Sequence, residues 1–128
     1  MLAMVFPTGC ATPVFPEAQK AGFCAIVADP GKFDGKTIAF RATLSVDQHA
    51  AVFVDAGCKG GLLGKGIYDE RFARRVNPLL YGGLGYRDGI SATYVGVVGR
   101  QKSSVHPSGE EYFITILDIR DPKKERPW

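Results

Sequence analysis

The chain has 128 residues, of which 45% are hydrophobic and 23% charged, and a formal net charge of +3. That length suits one domain with its own core, and the balance of apolar and charged residues excludes extended disorder. The mild charge lacks the dense basic stripe of a dedicated nucleic-acid module, and no apolar run reaches the roughly 18 residues of a membrane-spanning helix.

Sixteen Gly and eight Pro divide the chain into short segments, the pattern of strands joined by turns. The first segment, residues 1–16, reads as a tail. Met1 to Phe6 is apolar but short, and no Lys or Arg precedes it as in a signal peptide. Thr8-Gly9-Cys10 resembles the end of a bacterial lipoprotein signal, in which the Cys is lipidated and becomes the new N-terminus. Pro7 stands where that motif has Leu. Two readings stay open: the remnant of an export signal that starts upstream of Met1, with Cys10 as lipid-bearing residue, or a frayed tail.

The folded domain is expected over residues 17–121. Glu17 to Ala28 places Phe23, Ile26 and Val27 at helical spacing, and Pro30-Gly31 stops the segment. Asp34-Gly35 supplies a turn. Lys36 to Leu44 then alternates, with Ile38, Phe40, Ala42 and Leu44 on one face and Ala39, Arg41 and Thr43 on the other, a half-buried strand. Ala51 to Val54 is a second, short strand. Residues 57–66, with glycines at 57, 60, 61, 64 and 66, read as a loop, and Ile67-Tyr68 as a weak third strand.

Asp69 can cap a helix that puts Phe72 and Val76 on one face and Arg71, Arg74 and Arg75 outside, ending near Asn77-Pro78. Glycines at 82, 83, 85 and 89 form a second loop. Ile90 to Arg100 is a long strand in which Gly96 and Gly99 signal a bulge or bend. Glu111 to Arg120 makes the last strand, with Phe113, Thr115, Leu117 and Ile119 facing one way and Tyr112, Ile114 and Ile116 the other. Both faces are apolar, so it is expected to be covered on both sides. The remaining residues, 122–128, read as a charged tail.

The order is helix, three strands, helix, two strands. It predicts a mainly β protein with minor α, a five-stranded OB-like barrel with one helix before the first strand and another between the third and fourth.

Cys10, Cys24 and Cys58 make an odd count. Lipidation of Cys10 leaves Cys24 and Cys58 as a pair, and the other reading is two buried free thiols. Disulfides persist in oxidising compartments, so pairing and export stand together.

Phe23-Cys24 through Pro30, followed by Phe33-Asp34-Gly35-Lys36, resembles the opening of OB-like bacterial envelope and lipoprotein domains. In those a Cys-bearing helical turn ends in Pro, and an aromatic-Asp-Gly-Lys turn leads into the first strand. Their second Cys follows strand two after an aspartate, as in Val54-Asp55-Ala56-Gly57-Cys58. Over roughly residues 22–120 the resemblance implies a fold, a Cys24–Cys58 disulfide and a periplasmic or envelope location, and no activity. The long glycine-rich loop and the three-arginine helix depart from the pattern.

No stretch carries a catalytic signature. Gly60 to Gly66 fails the phosphate-loop pattern, which needs Gly where Lys59 stands and Ser or Thr where Gly66 stands. Gly82 to Gly85 lacks the third glycine of a dinucleotide fingerprint. His49 and His106 fall in separate loops with no orienting group, and no His/Cys spacing suits zinc. No cofactor or metal is implied.

Binding is the better class. OB barrels bind on the face of strands two and three and the flanking loops. Arg41, Lys59, Lys65, Arg71, Arg74 and Arg75, with Phe53 and Tyr68, are the candidates for such a face. Two expectations follow: a non-enzymatic interaction module of the cell envelope, with an envelope protein or anionic polymer as partner, or a cytoplasmic module binding single-stranded nucleic acid.

Overall fold

The computed structural model describes residues 17–46, 51–66, 70, 74, 89–103 and 109–125. In chain order they form β1 (Gln19–Lys20), α1 (Phe23–Ala28), a 3-10 turn (Pro30–Phe33), β2 (Thr37–Val46), β3 (Ala51–Val54), β4 (Leu62–Lys65), β5 (Gly89–Lys102) and β6 (Glu110–Glu125). Strands β2, β3, β4, β6 and β5 are neighbours in that order, and pairing of β5 back onto β2 closes a five-stranded mixed barrel. The β4–β6 pair is parallel and the other barrel pairs are antiparallel. Glu70 and Arg74 have helical backbone, and the rest of the helix expected between the third and fourth barrel strands lies outside the described residues.

Ile38, Phe40, Ala42 and Leu44 turn inward from β2 as their alternation predicts. They meet Phe53 of β3 and Tyr94 of β5 at the centre of the core. Phe53 stands edge-on to Phe40 and Tyr94, with ring centroids 5.1 and 4.8 Å apart, and Phe40 stacks on Tyr94 at 5.9 Å. Each such pair contributes about 0.5–1.5 kcal/mol beyond its buried area. The Tyr94 hydroxyl donates to the Ile90 carbonyl at 2.5 Å. Ala92, between them on the same inward face, carries only a methyl and leaves the ring room to lie along its own strand. Burial holds the Tyr94 phenol well above the ordinary tyrosine range, and a hydrogen bond from the Leu44 backbone offsets this only in part.

α1 closes the barrel through Phe23 and Ile26, which are 2% and 0% exposed. It is shorter than expected. Gly22 has an extended backbone (φ −73°, ψ 138°) and begins the helix only at Phe23. The preceding residues serve β2 instead: Gln19 and Lys20 pair in parallel with Ile38 and Ala39, and the Ala21 amide donates to the Ala39 carbonyl at 3.0 Å. The backbone donors and acceptors of β2 outweigh a helical pattern that glycine already weakens. Gly35, at φ +76°, makes the expected turn into β2.

The third barrel strand is Leu62–Lys65, inside the stretch expected to be a loop, whereas Ile67 and Tyr68 lie outside the described residues. Gly64 explains the difference. It faces the core, where an added Cβ would stand 3.0 Å from the Phe53 ring and 3.1 Å from Leu44. The glycine is thus a strand residue whose missing side chain makes room for the central ring.

The last strand runs to Glu125, past the expected end at Arg120, and its simple alternation fails twice. Val95 pairs with Asp118 and Gly96 with Ile116, so Leu117 is an extra residue. This bulge sends Ile119 inward together with Ile114 and Ile116, all three buried. Thr93 pairs with Arg120 and Ser91 with Lys123, so Asp121-Pro122 contains a second extra residue. Asp121 there has φ +52°, and Pro122 needs no ladder donor at such a point.

Candidate functional site

A disulfide joins Cys24 of α1 to Cys58 in the turn between β3 and β4, with Cα atoms 5.6 Å apart. It ties the helix that closes the barrel to the hairpin that carries the expected binding loop. The turn is braced locally, since the Gly57 amide donates to the Asp55 carboxylate at 3.2 Å. Cross-linking over 34 residues stabilises the fold by about 4 kcal/mol in the chain-entropy account. A persistent disulfide fits an oxidising, extracytoplasmic compartment. Among the described residues no helix is long and apolar enough to cross a membrane.

The described members of the expected binding set fall on different elements of the fold. Phe53 is 0% exposed and belongs to the aromatic core, so its ring is not available to stack on a ligand. This corrects its assignment to the outer face: β3 is read with Ala51 and Phe53 inward, and Val52 and Val54 outward. Arg41 stands on the outside of β2 and donates to the Thr93 hydroxyl of β5 at 3.3 Å. Lys59 is exposed in the disulfide-bearing turn, and Lys65 is exposed at the end of β4. Arg74 is exposed and bonds Glu70 one helical turn earlier at 2.5 Å; at such exposure the pair adds little stability. Tyr68, Arg71, Arg75, Cys10 and the two histidines lie outside the described residues.

Instead the register builds a different row on the outer wall. Val52 pairs with Leu63, Leu63 with Phe113, and Phe113 with Gly99. Paired residues share a face, so three apolar side chains run across β3, β4 and β6 and end on a glycine of β5. All three are half-buried. The Phe113 ring lies where a side chain on Gly99 would be, 2.7 Å from its built Cβ. Lys65 Nζ sits 4.0 Å from the Phe113 ring centroid and bonds the Gln101 side-chain oxygen. Gln101 in turn donates to Glu111 at 2.7 Å. Arg100, on the other face of β5, reaches Asp34 at 2.9 Å and Glu110 at 3.5 Å.

This row is an apolar strip rimmed by one cation, one amide and one carboxylate, those of Lys65, Gln101 and Glu111. Such a rim and strip suit contact with another macromolecular surface. Leu63, Gln101 and Phe113 were missed in the sequence because β4 was hidden among glycines. The usable signal was Gly99 opposite an aromatic on the next strand.

No family model matches this chain, and no curated protein and no solved structure matches it either. The fold and its outer wall therefore define the class: a small disulfide-linked β-barrel domain.

Proposed function

We propose that the chain is a non-enzymatic OB-type interaction module of the bacterial cell envelope, contacting a protein partner through the outer wall of β3, β4 and β6. The row Val52, Leu63 and Phe113, half-buried on the outside of a barrel whose core is already complete, carries the reading. The strand order, with β4 parallel to β6 and β5 closing on β2, supports the OB assignment. The disulfide supports the compartment. Attachment to a membrane, in this reading, would run through lipidated Cys10. The alternative of single-stranded nucleic acid is weakened because Phe53, its central stacking ring, is buried.

The test places a photo-crosslinking amino acid at Leu63, with exposed Lys36 as control, in cells that export the protein. A discrete adduct at position 63, absent at 36 and lost with Phe113→Asp, supports the reading. Equal labelling at both positions, or no adduct at 63, refutes it.

A further inference from the structure

A second outer face, on β2, β5 and β6, carries a different chemistry. Arg41 pairs with Thr93, and Thr93 pairs with Arg120, so two guanidinium-bearing residues flank one hydroxyl in a single lateral row. One row further on, Thr43 pairs with Ser91 and Ser91 with Lys123. Arg120 and Lys123 are three residues apart and would point to opposite faces in a regular strand. The bulge at Asp121-Pro122, with Asp121 at φ +52°, puts both beside outward-facing partners. Three cations and the hydroxyls of Thr43, Ser91 and Thr93 thus share one wall.

Their bonding is incomplete. Arg41 gives one hydrogen bond to Thr93 at 3.3 Å and is otherwise exposed. Arg120 Nε lies 3.5 Å from Asp118, but its Nη2 is buried and meets no acceptor among the described residues. Buried donors are nearly always satisfied, and a charged one without an acceptor is costly. Asp118 and Asp121 are the carboxylates on this stretch of β6. Asp118 is engaged beside Arg120, and Asp121 is exposed within the bulge.

We propose that Arg41, Thr93, Arg120 and Lys123 form a binding site for a phosphate group. The donors come from three strands and from more than one direction, which suits a tetrahedral oxyanion with several oxygens better than a planar carboxylate. Arg41 and Arg120 grip the anion from either side of Thr93, whose hydroxyl donates between them, and Lys123 adds a point charge from the next row. Half-exposure of the Arg120 side chain (35%) leaves it free to turn its unpaired nitrogen toward the ligand. The site stands on another wall from the Val52–Phe113 row and does not depend on it.

The test is an NMR titration of the full oxidised chain with inorganic phosphate at constant ionic strength. Saturable shifts should centre on Thr93, Arg120 and Lys123. Affinity should fall about tenfold or more in Arg41→Gln and Arg120→Gln, as expected when a charge-assisted bond is lost. Arg100→Gln, whose guanidinium serves Asp34 and Glu110, should bind as the native chain does. Exposed Lys123→Gln, expected to weaken binding by a smaller factor, keeps the test decisive if Arg120→Gln fails to fold. Vesicles of phosphatidylglycerol in phosphatidylcholine form a second arm. Arg41-dependent sedimentation with them would assign the phosphate to a lipid headgroup, and saturable phosphate binding without sedimentation would assign a free phosphate. Absence of saturable shifts and of sedimentation overturns the proposal, as does binding that Arg41→Gln and Lys123→Gln leave unchanged.

Discussion

Phe53→Ala separates a core residue from a surface one. The ring is 0% exposed and is flanked by Tyr94, Phe40 and Phe23 at centroid distances of 4.8, 5.1 and 6.4 Å. Its removal sacrifices transfer energy and aromatic pairing and leaves a cavity, together about 3–5 kcal/mol. For a domain of this size that is a fall in Tm of about 15 °C. Urea unfolding should show a lower midpoint at an unchanged m value. Gly64 makes the prediction sharper, since its built Cβ lies 3.0 Å from the ring. Gly64→Ala alone should destabilise by about 1–3 kcal/mol through overpacking. In the Phe53→Ala background the same methyl enters the cavity, so the double variant should be more stable than the sum of the two losses by about 1 kcal/mol or more. A loss below about 1 kcal/mol for Phe53→Ala, or strict additivity of the pair, would refute the packing described for the core.

Two other perturbations report on separate parts of the molecule. Cys24→Ala with Cys58→Ala should lower stability by about 4 kcal/mol, read by calorimetry against the oxidised chain, and unfolding of the native chain in a reductant should shift by a similar amount. Tyr94 sets an alkaline limit. Its folded pKa is raised, so its contribution is complete below the unfolded value near 10 and is lost as pH climbs toward the folded one. Stability should therefore fall above about pH 10 by up to about 1.4 kcal/mol per pH unit from this group. Comparing the alkaline slopes of the native chain and Tyr94→Phe checks this, and equal slopes would contradict it.

Much of the barrel was legible in the sequence because β2 alternates cleanly and because its inward face, Ile38 to Leu44, has no competing pattern. The mainly β class followed from local signals of this kind, whereas the Cys24–Cys58 pair was one of two open readings, implied by the resemblance to OB-like envelope domains, and the structure forms it. What stayed hidden has a common physical origin in backbone irregularity. Gly64 looks like loop chemistry until the Phe53 ring is seen to need its space. Leu117 and Asp121-Pro122 each add one residue to β6, so its faces exchange twice, and no single period describes Ile119, Arg120 and Lys123. The second exchange also decides the outer face of β2, β5 and β6, since it brings Arg120 and Lys123 to one side. Phe53 shows the reverse error. An aromatic near basic residues in sequence suggested a stacking platform, yet alternation along β3 sends it inward while Val52 and Val54 take the outer wall.

The oxidised Cys24–Cys58 pair links the closing helix to the β3–β4 turn and fits an oxidising compartment. The direct measurement is rapid acid quenching of the cells that make the protein, alkylation of free thiols under denaturing conditions, and mass mapping before and after reduction. The structure predicts that Cys24 and Cys58 escape alkylation until reduced and are recovered as one cross-linked peptide pair. Full alkylation of both without reduction would contradict it.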